Sequence, residues 1–185
     1  MIYLETERLV LRDWREEDSV VFSRMNRDPK VMEYFLKPLT DTESRDFYER
    51  IRREIDTFGW GLFAAEVKIS GKFIGYIGLH HTNFETDFCP CIEIGWRLCE
   101  NSWGRGYATE GARACLDYAF RQLQLPEIYS FTSLPNRRSE RVMQKIGLQK
   151  IGEFDHPLVP AGHPLLRHGN GSYEFDSRYL VSGSV

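Results

Sequence analysis

The sequence has no long apolar run, no surplus of either charge and no paired-cysteine motif, and each absence removes a class of protein. None of its apolar stretches approaches the roughly 20 residues that a membrane-spanning helix needs. The opening residues, Met1-Ile2-Tyr3-Leu4-Glu5, lack the apolar segment of a secretory signal. The expectation is therefore a cytoplasmic protein with no membrane partner. Lys and Arg number 24 against 27 Asp and Glu, a formal net charge of −3 and a pI of 6.0. So small an imbalance argues against nucleic acid or an anionic lipid surface as a partner. The cysteines, Cys89, Cys91, Cys99 and Cys115, contain no Cys-x-x-Cys pair, which reads as free thiols in a reducing compartment. Cys89 and Cys91 would share one face of a strand, with His80 or His81 brought near by a turn. Structural zinc sites, however, favour cysteines two to four residues apart. The thiols read better as small buried hydrophobes, and no metal is expected.

What is present is ordinary globular material. The chain has 185 residues, 42% hydrophobic and 28% charged. A chain of this length buries roughly two-thirds of its extended surface without needing a staple. No repeat, low-complexity tract or linker divides it, so residues 1–185 read as one α+β domain.

Period-two alternation of Leu9 and Leu11 with Arg8, Val10 and Arg12 predicts an opening strand. Asp18 and Ser19 are placed to cap a helix through about Asn26, and Asp28-Pro29 predicts a short second helix to about Phe35. Thr40 and Glu43 form a capping-box pattern for a long charged helix over 41–57. Three strands follow over 60–68, 72–82 and 91–99, the first two joined as a tight hairpin at Ser70-Gly71. Ala108, Ala112, Cys115, Leu116, Ala119, Phe120 and Leu123 then recur as one buried helical stripe. A strand over 128–133 leads to a helix capped by Asn136, with Ser139, Val142, Met143 and Ile146 inward and Gly147 as its stop. Strands over 149–154 and 173–181 close the chain, flanking a long loop rich in Pro and Gly. Loops of that length more often serve function than connection.

The most informative segment is Asn101-Ser102-Trp103-Gly104-Arg105-Gly106-Tyr107-Ala108-Thr109-Glu110-Gly111, which joins a strand to the clearest helix. Gly104 and Gly106 permit left-handed turns that point successive N–H groups into one cavity at the positive end of the helix dipole. Such a nest suits a pyrophosphate. A Gly-x-Gly at a helix start is weak evidence alone, because turns need glycine in any case. It is neither a dinucleotide-binding fingerprint, lacking the third glycine, nor a Walker loop, lacking Gly-Lys-Ser/Thr.

With that turn, four ordered motifs span nearly the whole chain: TERLVLRDWREED over 6–18, EIGWRL over 93–98, WGRGYATEG over 103–111 and NRRSERVMQKIGL over 136–148. Together they resemble the GNAT superfamily of acyl-CoA-dependent N-acyltransferases, in particular its RimJ/RimL-like branch. The resemblance implies a mixed, mostly antiparallel sheet of about seven strands, flanked by helices and splayed in the middle for acetyl-CoA. It implies an N-acetyltransferase that moves acetyl from this cosubstrate to a primary amine. The family's pyrophosphate signature falls on Trp103, Gly106 and Ala108, with Trp103 departing from the usual Gln or Arg. By resemblance the coenzyme is held by Trp96, Leu98, Trp103, Gly104, Arg105, Gly106, Tyr107, Ala108, Thr109, Asn136, Ser139 and Arg141. Asn136 matches the family's contact to the pantetheine arm and also suits a helix N-cap. Arg137, Arg138, Arg141 and Lys145 make its helix basic, either as a solvated face or toward the phosphates.

Acyl transfer from a thioester needs a neutral amine, a partner for the tetrahedral oxygen and a route out for the thiol. Resemblance assigns the oxygen to a main-chain N–H within Ile94 to Leu98, a donor worth a factor of about 10² to 10³. Glu93 is the first candidate base, although Arg97 on the same strand face makes a structural ion pair an equal reading. His80, His81, Asp155 and His156 are the alternatives, histidine being suited to proton transfer near neutral pH. Related enzymes place a thiolate-protonating tyrosine where this chain has Met143. By resemblance to RimL-like enzymes Ser139 is the candidate acid, with a hydrogen bond to the helix backbone as its plainer role. A thiol of pKa about 8.5 leaves tolerably without help.

The acceptor is expected between residues 26–39 and 155–171, near Tyr34, Phe35, Trp60, Phe84 and His163. The resemblance allows a peptide N-terminal amine of the ribosomal-protein type or a small-molecule amine. A catalytically silent acyl-CoA-binding sensor is the alternative raised by Met143. Monomer and homodimer are both open.

Overall fold

The computed structural model describes residues 1–174. Its elements run β1 (Ile2–Glu5), β2 (Leu9–Arg12), α1 (Asp18–Arg27), α2 (Asp41–Phe58), β3 (Leu62–Val67), β4 (Lys72–Thr82), β5 (Cys91–Leu98), a single 3₁₀ turn (Glu100–Ser102), α3 (Tyr107–Arg121), β6 (Glu127–Ser133), α4 (Arg137–Lys145), β7 (Gln149–Asp155) and β8 (Arg167–Glu174). The strands form one sheet in the order β1-β2-β3-β4-β5-β6-β8-β7. Every pairing is antiparallel except β5 with β6.

Neighbouring residues of β4 assign the two layers, because consecutive side chains of a strand point to opposite faces. Tyr76 meets Phe22 of α1 and Phe47 of α2, with ring centroids 6.2 and 5.8 Å apart. Ile77 lies against α3, where a Cβ on Gly111 would sit 2.5 Å from its Cδ1, so glycine is what lets the helix approach the sheet. Helices α1 and α2 thus cover one face and α3 the other. Trp14 fastens the first layer by donating from Nε1 to the Leu62 carbonyl (2.7 Å) while packing on Phe22 and Tyr48.

The long helices follow their sequence signals. Thr40 and Glu43 form the reciprocal capping box, and Gly59 closes α2 at φ +76. The apolar stripe of α3 is buried from Ala112 to Phe120. Asn136 caps α4 by accepting from the Ser139 N–H.

Four local expectations are corrected. Asp18 does not cap α1; its carboxylate receives the Arg12 guanidinium and the Arg15 N–H, and Glu17 holds the cap position. The short helix after Pro29 is a string of turns. One helical bond, from the Met32 N–H to the Asp28 carbonyl, is followed by tighter turn bonds to the Lys30 and Met32 carbonyls, so no helix propagates before Pro38. An additional edge strand, β1, brings the sheet to eight. The last strand starts earlier than 173–181, at Arg167, and residues 175–181 of that expectation lie outside the described residues. The polar, glycine-containing Arg167–Ser172 carries no apolar alternation. It becomes a strand because β6 and β7 hydrogen-bond to it on both sides. The predicted loop shrinks accordingly to residues 156–166.

Candidate active site

Strands β5 and β6 meet at only one residue pair, Glu93 with Tyr129, and part beyond it. From Ile94 to Leu98, β5 is paired on its β4 side alone. The parting opens a cavity of about 660 Å³, walled by both halves of the sheet, the residue 31–36 turns, α2, the start of α3 and α4.

One end of this cavity is the glycine turn. Gly104 and Gly106 adopt φ of +71 and +82, the left-handed region that favours glycine. The main-chain N–H groups of Gly104 through Thr109 have no acceptor among the described residues. They stand at the positive end of α3, so the turn fits a pyrophosphate in number of donors and in charge. Trp103 explains its own departure from the signature. Its Nε1 donates to the Leu98 carbonyl (2.8 Å), tying the turn to the end of β5. The Arg138 guanidinium lies 4.3 Å over the Trp103 ring and is paired with Glu33, so α4, the glycine turn and the 29–39 segment are joined.

Arg8 and Glu110, which sequence reasoning left unassigned, hold the turn from beneath. Glu110 accepts from Thr6 Oγ1, the Arg8 N–H and Arg8 Nε, and Arg8 Nη1 donates to the Arg105 carbonyl (2.9 Å). Burial pushes the Glu110 pKa up, and these hydrogen bonds more than reverse it, leaving it lowered. An acid in the first turn of a helix was the available signal.

Of the residues expected to hold coenzyme, Trp96, Leu98, Trp103, Gly104, Gly106, Tyr107, Ala108, Thr109, Asn136, Ser139 and Arg141 all line the cavity; Arg105 does not, and its carbonyl accepts from Arg8 Nη1. Ser139 Oγ has no protein partner among the described residues, and only its N–H serves the cap. Met143 is buried and stands away from the main cavity, beside Gly171.

The second end lies where β5 opposes β4. His80 stands across from Glu93 in the ladder, and its Nε2 is 2.9 Å from Glu93 Oε2. Thr82 Oγ1 donates to the same oxygen (3.1 Å), which leaves Oε1 without a protein partner. Burial lowers the His80 pKa, and the charge and hydrogen bond of Glu93 outweigh it, so the imidazole is held above its ordinary value. Glu93 is therefore paired with His80, and the ion pair with Arg97 does not form. His156 and His168 line the same region, 4.8 Å apart between ring centroids, and burial pushes both pKa values down.

The other candidate bases are elsewhere. His81 points away and binds Glu54, stacked on Trp60. Asp155 pairs with Arg167. Of the residues expected around the acceptor, Tyr34 and Phe35 line the cavity, while Trp60, Phe84 and His163 do not. Phe84 belongs to an aromatic cluster with Phe88, Phe131 and Phe154. Trp60 is buried against Phe58 and His81. Cys89 and Cys91 are free thiols with Sγ atoms 3.7 Å apart, and His80 is turned to Glu93 instead of toward them. No group of three or more His, Cys, Asp or Glu able to hold a metal occurs among the described residues.

A splayed sheet, a glycine nest at a helix start and a carboxylate at the parting strand meet on one cavity. Residues 8–149 match the model of the acetyltransferase (GNAT) domain, and the chain belongs to that family. It is an acetyl-CoA-dependent N-acetyltransferase. The chain is 34% identical over 160 residues to the uncharacterized protein YkkB of Bacillus subtilis, covering 84% of this chain and 92% of that one. A crystal structure of a GNAT-family acetyltransferase from Bacillus anthracis superposes with a TM-score of 0.77 at 26% identity, over 94% of this chain and 98% of that one. Mycobacterium smegmatis RimJ, solved with CoA-disulfide, shares the fold at a TM-score of 0.73 and 20% identity, covering 94% and 84% of the two chains. No helix among the described residues is long and apolar enough to cross a membrane.

Proposed function

We propose that the chain is a RimJ/RimL-like N-acetyltransferase that acetylates a primary amine, on a peptide N-terminus or a small molecule, by direct attack on the thioester of acetyl-CoA. The observation that carries this reading is one continuous cavity joining the unpartnered N–H groups of Gly104–Thr109 to the free carboxylate oxygen of Glu93. RimJ, which shares the fold, was solved with CoA-disulfide.

In this reading the glycine turn binds the pyrophosphate, with Arg141 and Lys145 on the wall beside it. Asn136, already capping α4 through Oδ1, offers its amide N–H to the pantetheine arm. The thioester then reaches the parting of β5 and β6, where the β5 main chain beyond Glu93 supplies the N–H for the tetrahedral oxygen. His80 and Thr82 fix Glu93, and its free Oε1 receives the proton of the incoming ammonium. The amine nitrogen forms the new C–N bond, the C–S bond breaks, and the sulfur takes a proton as coenzyme thiol. Ser139 Oγ, unpartnered on the wall, is the group placed to give that proton and to be reprotonated by the second proton that the nitrogen loses on becoming the amide.

Mixing the protein with acetyl-CoA and a panel of amines and peptide N-termini, and following free-thiol release with the mass of the acceptor, tests this. Release matched by an acetyl mass on the acceptor is expected. Tight coenzyme binding without release across the panel would make the chain a silent acyl-CoA binder instead.

A further inference from the structure

Arg97 is 91% buried by its 9% relative exposure, yet no carboxylate among the described residues lies within ion-pair distance of it. Its Nη1 donates to Asn26 Oδ1 (2.7 Å), while its Nε is buried with no partner. Its guanidinium lies 4.0 Å over Phe35, 5.5 Å from the centre of Phe47 and 5.6 Å from that of Tyr76. Aromatic faces offset part of the desolvation of a cation but leave its hydrogen-bonding edge unused. A second guanidinium, Arg50, lies 4.8 Å over Phe47, is exposed and has no ion-pair partner among the described residues. Glu54, one helical turn further on, is turned to His81. All of these except Asn26 and His81 line the acceptor end of the cavity.

The β4–β5 ladder gives this end a direction. Three facing pairs share one surface of the sheet, Tyr76 with Arg97, Gly78 with Gly95, and His80 with Glu93. A Cβ on Gly95 would meet nothing within 4 Å, so the surface is bare floor on the β5 side, whereas one on Gly78 would strike the Gly61 carbonyl. At about 3.3 Å per residue, the Glu93 and Arg97 Cα atoms are about 13 Å apart. A carboxylate thus ends the floor on one side and an unpaired guanidinium on the other.

We propose that the acceptor is a primary amine that also carries a carboxylate, its amine directed to Glu93 and its carboxylate received by Arg97 together with Arg50. This deepens the N-acetyltransferase reading above and rests on it for the position of the amine. A guanidinium binds a carboxylate through its N–H groups, and Arg97 lines the cavity with no carboxylate of the described residues paired to it. A polyamine, cationic at both ends, would put one charge against Arg97.

The test pairs each ω-amino acid of a graded series, from glycine upward, with its own carboxamide, and compares kcat/KM by thiol release. The native protein should prefer the carboxylate by about tenfold or more in the best-fitting pair. Arg97→Gln and Arg50→Gln should each bring that ratio toward one. Arg50 is exposed, so its variant reads the proposal even if the buried substitution unfolds the protein. Calorimetry of the same amines, without acetyl-CoA, should show the same preference and the same loss. Release with ratios near one in the native protein, or with polyamines preferred, would overturn the carboxylate proposal while leaving transfer intact. Absence of release together with a carboxylate preference in calorimetry that the variants lose would fail the transferase reading and keep the anion site. No release and no preference would overturn both.

Discussion

Two buried arginines stand at opposite ends of the same surface and are treated differently by their surroundings. Arg12, in β2, makes two hydrogen bonds to Asp18 and one to Glu66, and its remaining N–H capacity is partly met by the Asp13 carbonyl. Arg97, in β5, has one side-chain amide and three aromatic rings. Burial presses on both. The two carboxylates reverse it for Arg12, whose pKa is raised, whereas burial dominates for Arg97, whose pKa is lowered. The pairing is completed at Arg12 and left short at Arg97. Unfilled valence in a buried site marks where a ligand completes the structure.

The largest effect expected from this contrast is on stability. Arg12→Met strands Asp18 in the interior and should cost about 3–5 kcal/mol, whereas Arg97→Met removes a cation that lacked a carboxylate and should cost under about 2 kcal/mol. Urea unfolding of the two variants compares them directly, and equal losses would erase the distinction. Next in size, Glu93→Gln should lower turnover by about 10²-fold or more. In the same variant the His80 ring should titrate below its native value, because burial alone lowers it and Glu93 raises it. The sign for folding follows. The folded pKa is raised, so this pair stabilises below about pH 6.5 and the contribution fades as pH climbs through the folded value. NMR titration of the ring reads the shift, and an unmoved His80 would separate it from Glu93.

A smaller change is expected at the glycine nest. A Cβ on Gly106 would meet only Arg8 Nη2, at 3.3 Å, so Gly106→Val is penalised first by the +82° φ. Acetyl-CoA should bind about tenfold more weakly in calorimetry, since an L-residue disfavours that conformation by roughly 1–2 kcal/mol. Unchanged affinity would put the pyrophosphate elsewhere. Smallest of all, Ser139→Ala should reduce turnover at saturating acetyl-CoA by up to about tenfold with coenzyme affinity preserved, below the usual range for an acid because a thiol leaves readily. Equal turnover would remove the hydroxyl from the reaction.

Much of this was legible in the chain. The capping box at Thr40 and Glu43, the α3 stripe, the Asn136 cap and the left-handed glycines are local features, set by neighbours in sequence, and they appear where the residues predict. The failures are of one kind. β8 could not be read because its strand character comes from hydrogen bonds to β6 and β7, not from its own polar residues. The turns after Pro29 could not be told from a helix until Val31 and Met32 were buried against the rest. Phe84, Trp60 and His163 were assigned to the acceptor by analogy with the family, and packing placed them outside the cavity.

Sequence therefore determined the family, the nest and the list of candidate groups, because spacing and residue type are sufficient for interactions made within a few residues. Partner choice belonged to the tertiary structure. Glu93 carries Arg97 on its own strand face, but antiparallel register sets His80 against Glu93 and Tyr76 against Arg97. Cross-strand neighbours sit about 5 Å apart, while i and i+4 on one strand are separated by about 13 Å. That geometry gives the carboxylate a histidine and leaves the guanidinium without an anion.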